Sequence, residues 1–175
     1  MGATVELEAW HDLFVASAGA AAALAGLIIV SMSVNIKQIL ATTSMPSRAG
    51  SSIAALVLVV VVSIGALIPI QAEWMLGLES LVFGLIALAF AVDSTVRLTQ
   101  ESTHPDAGGY RRPLSNLVVN GAMSVLQVVP FVVGGVLLVV GGGLAAGLSW
   151  IAAGILFVII GAVVNAWVML VEILR

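Results

Sequence analysis

Five long apolar runs dominate this chain, near Leu13 to Ile36, Ile53 to Ile70, Trp74 to Val96, Leu114 to Val140 and Leu148 to Leu170. A bilayer core about 30 Å thick needs about 20 apolar residues of α-helix to cross it, and each run is of that order. In hydrocarbon, only helices and closed barrels satisfy their own backbone hydrogen bonds. The runs lack the period-two alternation of barrel strands. The expected fold is therefore all-α: a polytopic membrane protein formed as a bundle of five transmembrane helices. The segments between the runs are suitable breakers: KQILATTSMPSRAGSS, PIQAE, TQESTHPDAGGYRRP and the glycines 141 to 143. Only 9% of the 175 residues are charged and 61% are hydrophobic, whereas soluble domains are roughly a quarter charged. Residues 1–175 are expected to form a single transmembrane domain, without room for a separate soluble one. The acidic opening MGATVELEAWHDLF lacks the positive region and cleavage pattern of a secretory signal, so the first run is expected to be a permanent span.

The charges give this bundle a direction. With five spans, Lys37, Arg48, Arg97, Arg111, Arg112 and Arg175, which are all the basic residues, fall on one side. Glu6, Glu8, Asp12, Glu73 and Glu79 fall on the other. The positive-inside rule then places the N-terminus outside and the C-terminus in the cytoplasm of a plasma-membrane, multi-pass protein. Trp10, Trp74 and Trp150 are expected at the outer boundary, with Tyr110 and Trp167 toward the inner one.

Several kinds of chemistry drop out. A net charge of −3, with no basic stripe, does not suit nucleic acid. The absence of cysteine removes disulfides, thiolate metal sites and cysteine nucleophiles. His11 and His104, the two histidines, are expected on opposite sides of the membrane, where they cannot clamp one haem. No nucleophile elbow, phosphate loop or metalloprotease histidine pair occurs. The odd number of spans gives no equal halves for the inverted repeat of many transporters. The chain is expected to be no enzyme, with no cofactor and no metal centre. His11, Asp12 and Glu79 are outer-surface polar candidates for a metal or proton-relay site, set against the simpler expectation of a solvated helix start.

The fourth run, SNLVVNGAMSVLQVVPFVVGG, is apolar yet rich in hydrogen-bonding groups. Asn116, Asn120, Ser124 and Gln127 share an arc of about 80° on a helix, and Pro130 predicts a kink one turn later. The fifth run carries Gly147, Gly154, Gly161, Asn165 and Glu172 on one face. A hairpin near Gly143 brings residues whose numbers sum to roughly 287 to the same depth. Small residues then meet in one leaflet, and Asn165 and Glu172 meet the amides in the other. The plainer expectation for this polar network is structural, fixing register. The alternative is a hydrated pore or ion path.

Other faces carry expectations as well. The first helix, with ASAGAAAALAG at residues 16 to 26, is small on every side and is expected to be surrounded by neighbours, within the fold or across a subunit contact. The second, rich in branched aliphatics, is expected to face lipid broadly. On the third, Gly77, Ser80, Gly84, Ala87 and Ala91 form one flank, and Asp93 and Arg97 are spaced for an i,i+4 ion pair. Around Glu172, Arg175, Arg111 and Arg112, a solvated cytoplasmic rim competes with a docking surface for a partner or anionic lipid.

The opening WHDLFVASAGAAAALAGLIIVSMSVNIKQIL and the closing NAWVMLVEILR resemble the ends of small actinobacterial five-span membrane proteins, some of them labelled modulators of a membrane-bound AAA protease. The resemblance covers residues 10–40 and 165–175 and implies action by lateral contact with another membrane protein. Together these features predict a non-enzymatic accessory or regulatory subunit that binds other membrane proteins, or a homo-oligomer, through small-residue helix faces. The rival expectation is a small homo-oligomeric channel, with the polar face of the fourth helix lining a pore.

Overall fold

A computed structural model describes residues 2–34, 36, 44–69, 71–103 and 121–173. The described residues form helices and turns without strands, and five of the helices are long and apolar enough to cross a membrane. The helices are α1 (Gly2–Val34), α2 (Ser44–Ala66), α3 (Glu73–Thr103), α4 (Val129–Val139) and α5 (Leu144–Ile173). A short helical segment at 121–126 precedes α4 and completes the fourth span. Each helix packs antiparallel on the next, and α5 closes the bundle against both α1 and α2.

The second helix is the core of the molecule. Of its apolar window 61% is buried, the reverse of the broad lipid exposure expected of it, whereas α1, expected to have neighbours within the fold or across a subunit contact, is 22% buried within the chain. Leu56, Leu58, Val59, Val62 and Ser63 are all essentially inaccessible because α1, α3 and α5 contact different sides of α2. A helix that is apolar all round suits a protein interior as well as lipid, so its valines carried no information about which side was covered. The helix also starts at Ser44 rather than near Ile53 and ends at Ala66, short of Ile70. Much of the expected loop SMPSRAGSS is therefore helical, with Pro46 in the first turn, where its missing N–H is harmless. The third helix likewise runs past Val96 to Thr103.

Glycines set the depth of the α4–α5 hairpin. After α4, Gly141 and Gly143 adopt φ of +74° and +101°, and the Gly142 N–H donates to the Leu137 carbonyl at 2.7 Å. This is the long bond of a Schellman motif, in which a residue with positive φ ends the helix. The returning helix of the hairpin, α5, seats large side chains of the preceding span on its own glycines. A Cβ at Gly154 would stand 2.6 Å from the Phe131 ring, one at Gly147 2.6 Å from Leu138, and one at Gly161 would collide with Gln127. These pairs lie at the depth a turn near Gly143 imposes, and small meets small there as well: a Cβ at Gly134 would lie 2.7 Å from the Gly147 carbonyl oxygen.

Small also meets small between α3 and α4. A Cβ on Gly77 would lie 2.9 Å from the Gly135 carbonyl oxygen, and one on Gly135 would lie 2.8 Å from that of Gly77. Ser80, Gly84, Ala87 and Ala91 complete the buried flank of α3. Close backbone approach of this kind replaces the hydrophobic drive that helices lack in lipid. The Ser80 hydroxyl donates to the Phe131 carbonyl at 2.9 Å across the same seam. Pro130 interrupts the fourth span: residues 127 and 128 form a turn, and the Phe131 N–H is donated to Val128 at 3.0 Å.

Candidate functional site

Three features of the bundle have chemistry beyond packing. Two are polar clusters at opposite ends, named here for Arg48 and Trp74, and the third is the outward face of α1.

At the Arg48 end, Arg48 lies in the second turn of α2 with only 6% of its surface exposed. Its Nη2 donates to Asn165 Oδ1 on α5 at 3.0 Å. Asn165 Nδ2 donates in turn to Ser52 Oγ at 2.6 Å, one turn along α2 from Arg48. The positions 48 and 52 share a helix face, which is why one amide can engage both. This cluster bolts α2 to α5, using a guanidinium whose hydrogen-bond donors suit a carbonyl oxygen. Arg48 was expected in a solvated loop, and nothing in a charge count separates a buried arginine near a span's start from one in the rim. The available clue was the polar phase of Ser47, Arg48, Ser51 and Ser52, which continues helical spacing upstream of the apolar run.

The polar network expected between the fourth and fifth spans is placed as follows. Asn116 and Asn120 lie outside the described residues. Ser124 is half-buried, and Gln127 packs on Gly161 of α5. Asn165 turns to α2, as described above. Glu172 lies in α5, with its side chain outside the described set. Asp93 and Arg97 form an ion pair, with Nε to Oδ2 at 2.7 Å and both side chains about half exposed. Ion pairs this exposed contribute roughly 0–1 kcal/mol. Arg111, Arg112 and Arg175 lie outside the described residues.

At the Trp74 end, His11 and Asp12 are exposed on α1, whereas Glu79 is half-buried between α3 and α2. Its carboxylate rests directly on Gly65, where any Cβ would collide with it. Gln71 Nε2 donates to Glu79 Oε2 at 3.2 Å. Among the described residues no group of three His, Cys, Asp or Glu side chains is gathered as a metal would require.

The third feature is on α1. Phe14, Ser17, Ala21 and Ile28 are its buried stripe. Ala16, Gly19, Ala23, Gly26 and Val30 occupy an arc of about 80° on the opposite side, and all five are exposed. A Cβ at Gly19 or Gly26 would meet nothing within 4 Å. Glycine in a helix interior costs roughly 0.5–1 kcal/mol relative to alanine, and no contact among the described residues explains that cost at either position. No protein-family model, curated protein or solved structure matches this chain.

Proposed function

We propose that this chain is a non-enzymatic accessory or regulatory subunit that binds another membrane protein laterally through the outward face of α1. It lies in the plasma membrane with its N-terminus outside and its C-terminus in the cytoplasm. The observation that carries the proposal is the pair Gly19 and Gly26, seven residues apart and open to the surroundings. Glycine and alanine let helix backbones approach closely in lipid, where dispersion contacts drive association. By contrast, Gly77, Gly135, Gly147 and Gly154 all meet side chains or backbone of the same chain. The orientation is supported by the confinement of every lysine and arginine to one side in chain order.

The resemblance of residues 10–40 and 165–175 to modulators of a membrane-bound AAA protease makes a protease of that class the first partner to test. Co-purification in mild detergent, from native membranes at native expression, is the direct experiment. The proposal predicts a stable second membrane protein in the complex, lost in Gly19→Leu and Gly26→Leu. Recovery of the isolated monomer alone contradicts it. The channel alternative has no comparable support, because Gln127, the last residue of the supposed pore face, is applied to Gly161 in the chain's own α4–α5 seam.

A further inference from the structure

We infer that the groove between α1 and α2 at the Arg48 end of the bundle holds an acyl chain of an anionic phospholipid, whose headgroup lies at the first turn of α2. Ile29, Met32, Ser33 and Ile36 of α1 and Ile53 of α2 line a groove of about 390 Å³. From Ile29 to Ile36 its α1 wall runs about 10 Å. These two isoleucines are about half exposed, so the groove opens outward to hydrocarbon. Gly50 shares a face of α2 with Ile53, and a Cβ there would meet nothing within 4 Å among the described residues. Apolar walls that carry one side-chain hydroxyl, that of Ser33, suit a hydrocarbon chain and offer a polar ligand little to hold.

Charge selects the headgroup. Because α1 and α2 are antiparallel neighbours, the Ile36 end of the groove lies toward the N-terminal turns of α2. A helix N-terminus carries partial positive charge and favours an anion, and the first turn of α2 contains no acidic residue to satisfy it. Arg48, in the second turn, adds a guanidinium that is always charged. Buried and bonded to Asn165, it acts on the headgroup by its field rather than by contact. A partner helix seated on Ala16, Gly19, Ala23, Gly26 and Val30 would leave the groove uncovered, because the groove residues of α1 are centred roughly 110° round the helix from that stripe. Lipid, the solvent of the remaining faces, is therefore the occupant.

The test is native mass spectrometry of the full chain released from nanodiscs made of equal parts phosphatidylglycerol and phosphatidylcholine. The proposal predicts one retained phospholipid per chain, with phosphatidylglycerol selected about fivefold, the effect of one favourable charge at a membrane surface. Retention falls in Ser33→Trp and in Gly50→Leu, which fill the groove, and is unchanged in Leu156→Trp on the exposed face of α5. Pro46→Glu puts a carboxylate at the N-terminus of α2, where a helix tolerates it, and abolishes the selection for phosphatidylglycerol. Absence of retained lipid on the wild type overturns the proposal, as does equal retention of the two lipids or retention unchanged in both groove-filling variants. A photo-crosslinking residue at Ser33 that labels a protein instead of phospholipid overturns it too. The wild-type selectivity and the Ser33 adduct decide it even if one variant fails to fold, and neither depends on whether the glycine stripe of α1 binds a partner.

Discussion

Arg48 of α2 and Asn165 of α5 are joined across 117 positions of sequence by a hydrogen bond of 3.0 Å. The bond ties the most buried helix of the bundle to the helix that closes it. Removing one partner from such a site leaves the other buried and short of a bond, which costs about 1–3 kcal/mol. Asn165→Ala, which also strips Ser52 of its donor, is expected to lower stability by that amount. A double-mutant cycle with Arg48→Ala, read by unfolding in nanodiscs, should give a coupling of about 0.6–1.7 kcal/mol. Strict additivity of the two variants would show that the contact contributes nothing.

Glycines in two settings should respond in opposite ways. Gly77→Ala and Gly135→Ala force a methyl group against the opposing backbone at 2.9 and 2.8 Å, where no flexible side chain can yield. Each is expected to destabilise by about 1–3 kcal/mol. Gly19→Ala and Gly26→Ala meet open space and should stabilise the isolated chain by about 0.5–1 kcal/mol. Unfolding of the four variants under one condition checks the contrast.

The α3–α4 seam adds a polar term to this packing. Ser80→Ala removes the hydrogen bond to the Phe131 carbonyl and should cost about 0.6 kcal/mol, the average for such bonds between helices in a membrane. Ser80→Gly should cost more, since it also adds the helix penalty of glycine. Equal stability of the wild type and Ser80→Ala would place the bond's contribution near zero.

These sites differ in how far the sequence reveals them. Gly147, Gly154 and Gly161 recur every seven residues on one face, and a turn at Gly143 converts that spacing directly into depth, so the α4–α5 register is readable. The small flank of α3 is readable for the same reason. The side chains opposite those glycines are not, because spacing fixes level but not rotamer: bulky Phe131 and Leu138 fill the gaps. The valines of α2 face every direction alike, so its central place emerges only once its neighbours are present. The burial of Arg48 is not legible, because an arginine near a span's end normally stays in the polar rim. Glu79 is legible as an acid in the third span, on the same side of the membrane as His11 and Asp12, but its pairing with Gln71 depends on how the chain turns between α2 and α3.

The absence of native cysteine leaves the surface of α1 open to unique chemical labelling, and Ala23 lies at the centre of its outward stripe. The most direct measurement places a photo-crosslinking residue at Ala23 in native membranes at native expression. The account predicts a light-dependent adduct with a second, different membrane protein, lost when Gly19→Leu or Gly26→Leu is added. An Ala23 probe that yields only lipid adducts and the 17.9 kDa monomer, or a link only to a second copy of this chain, would contradict it.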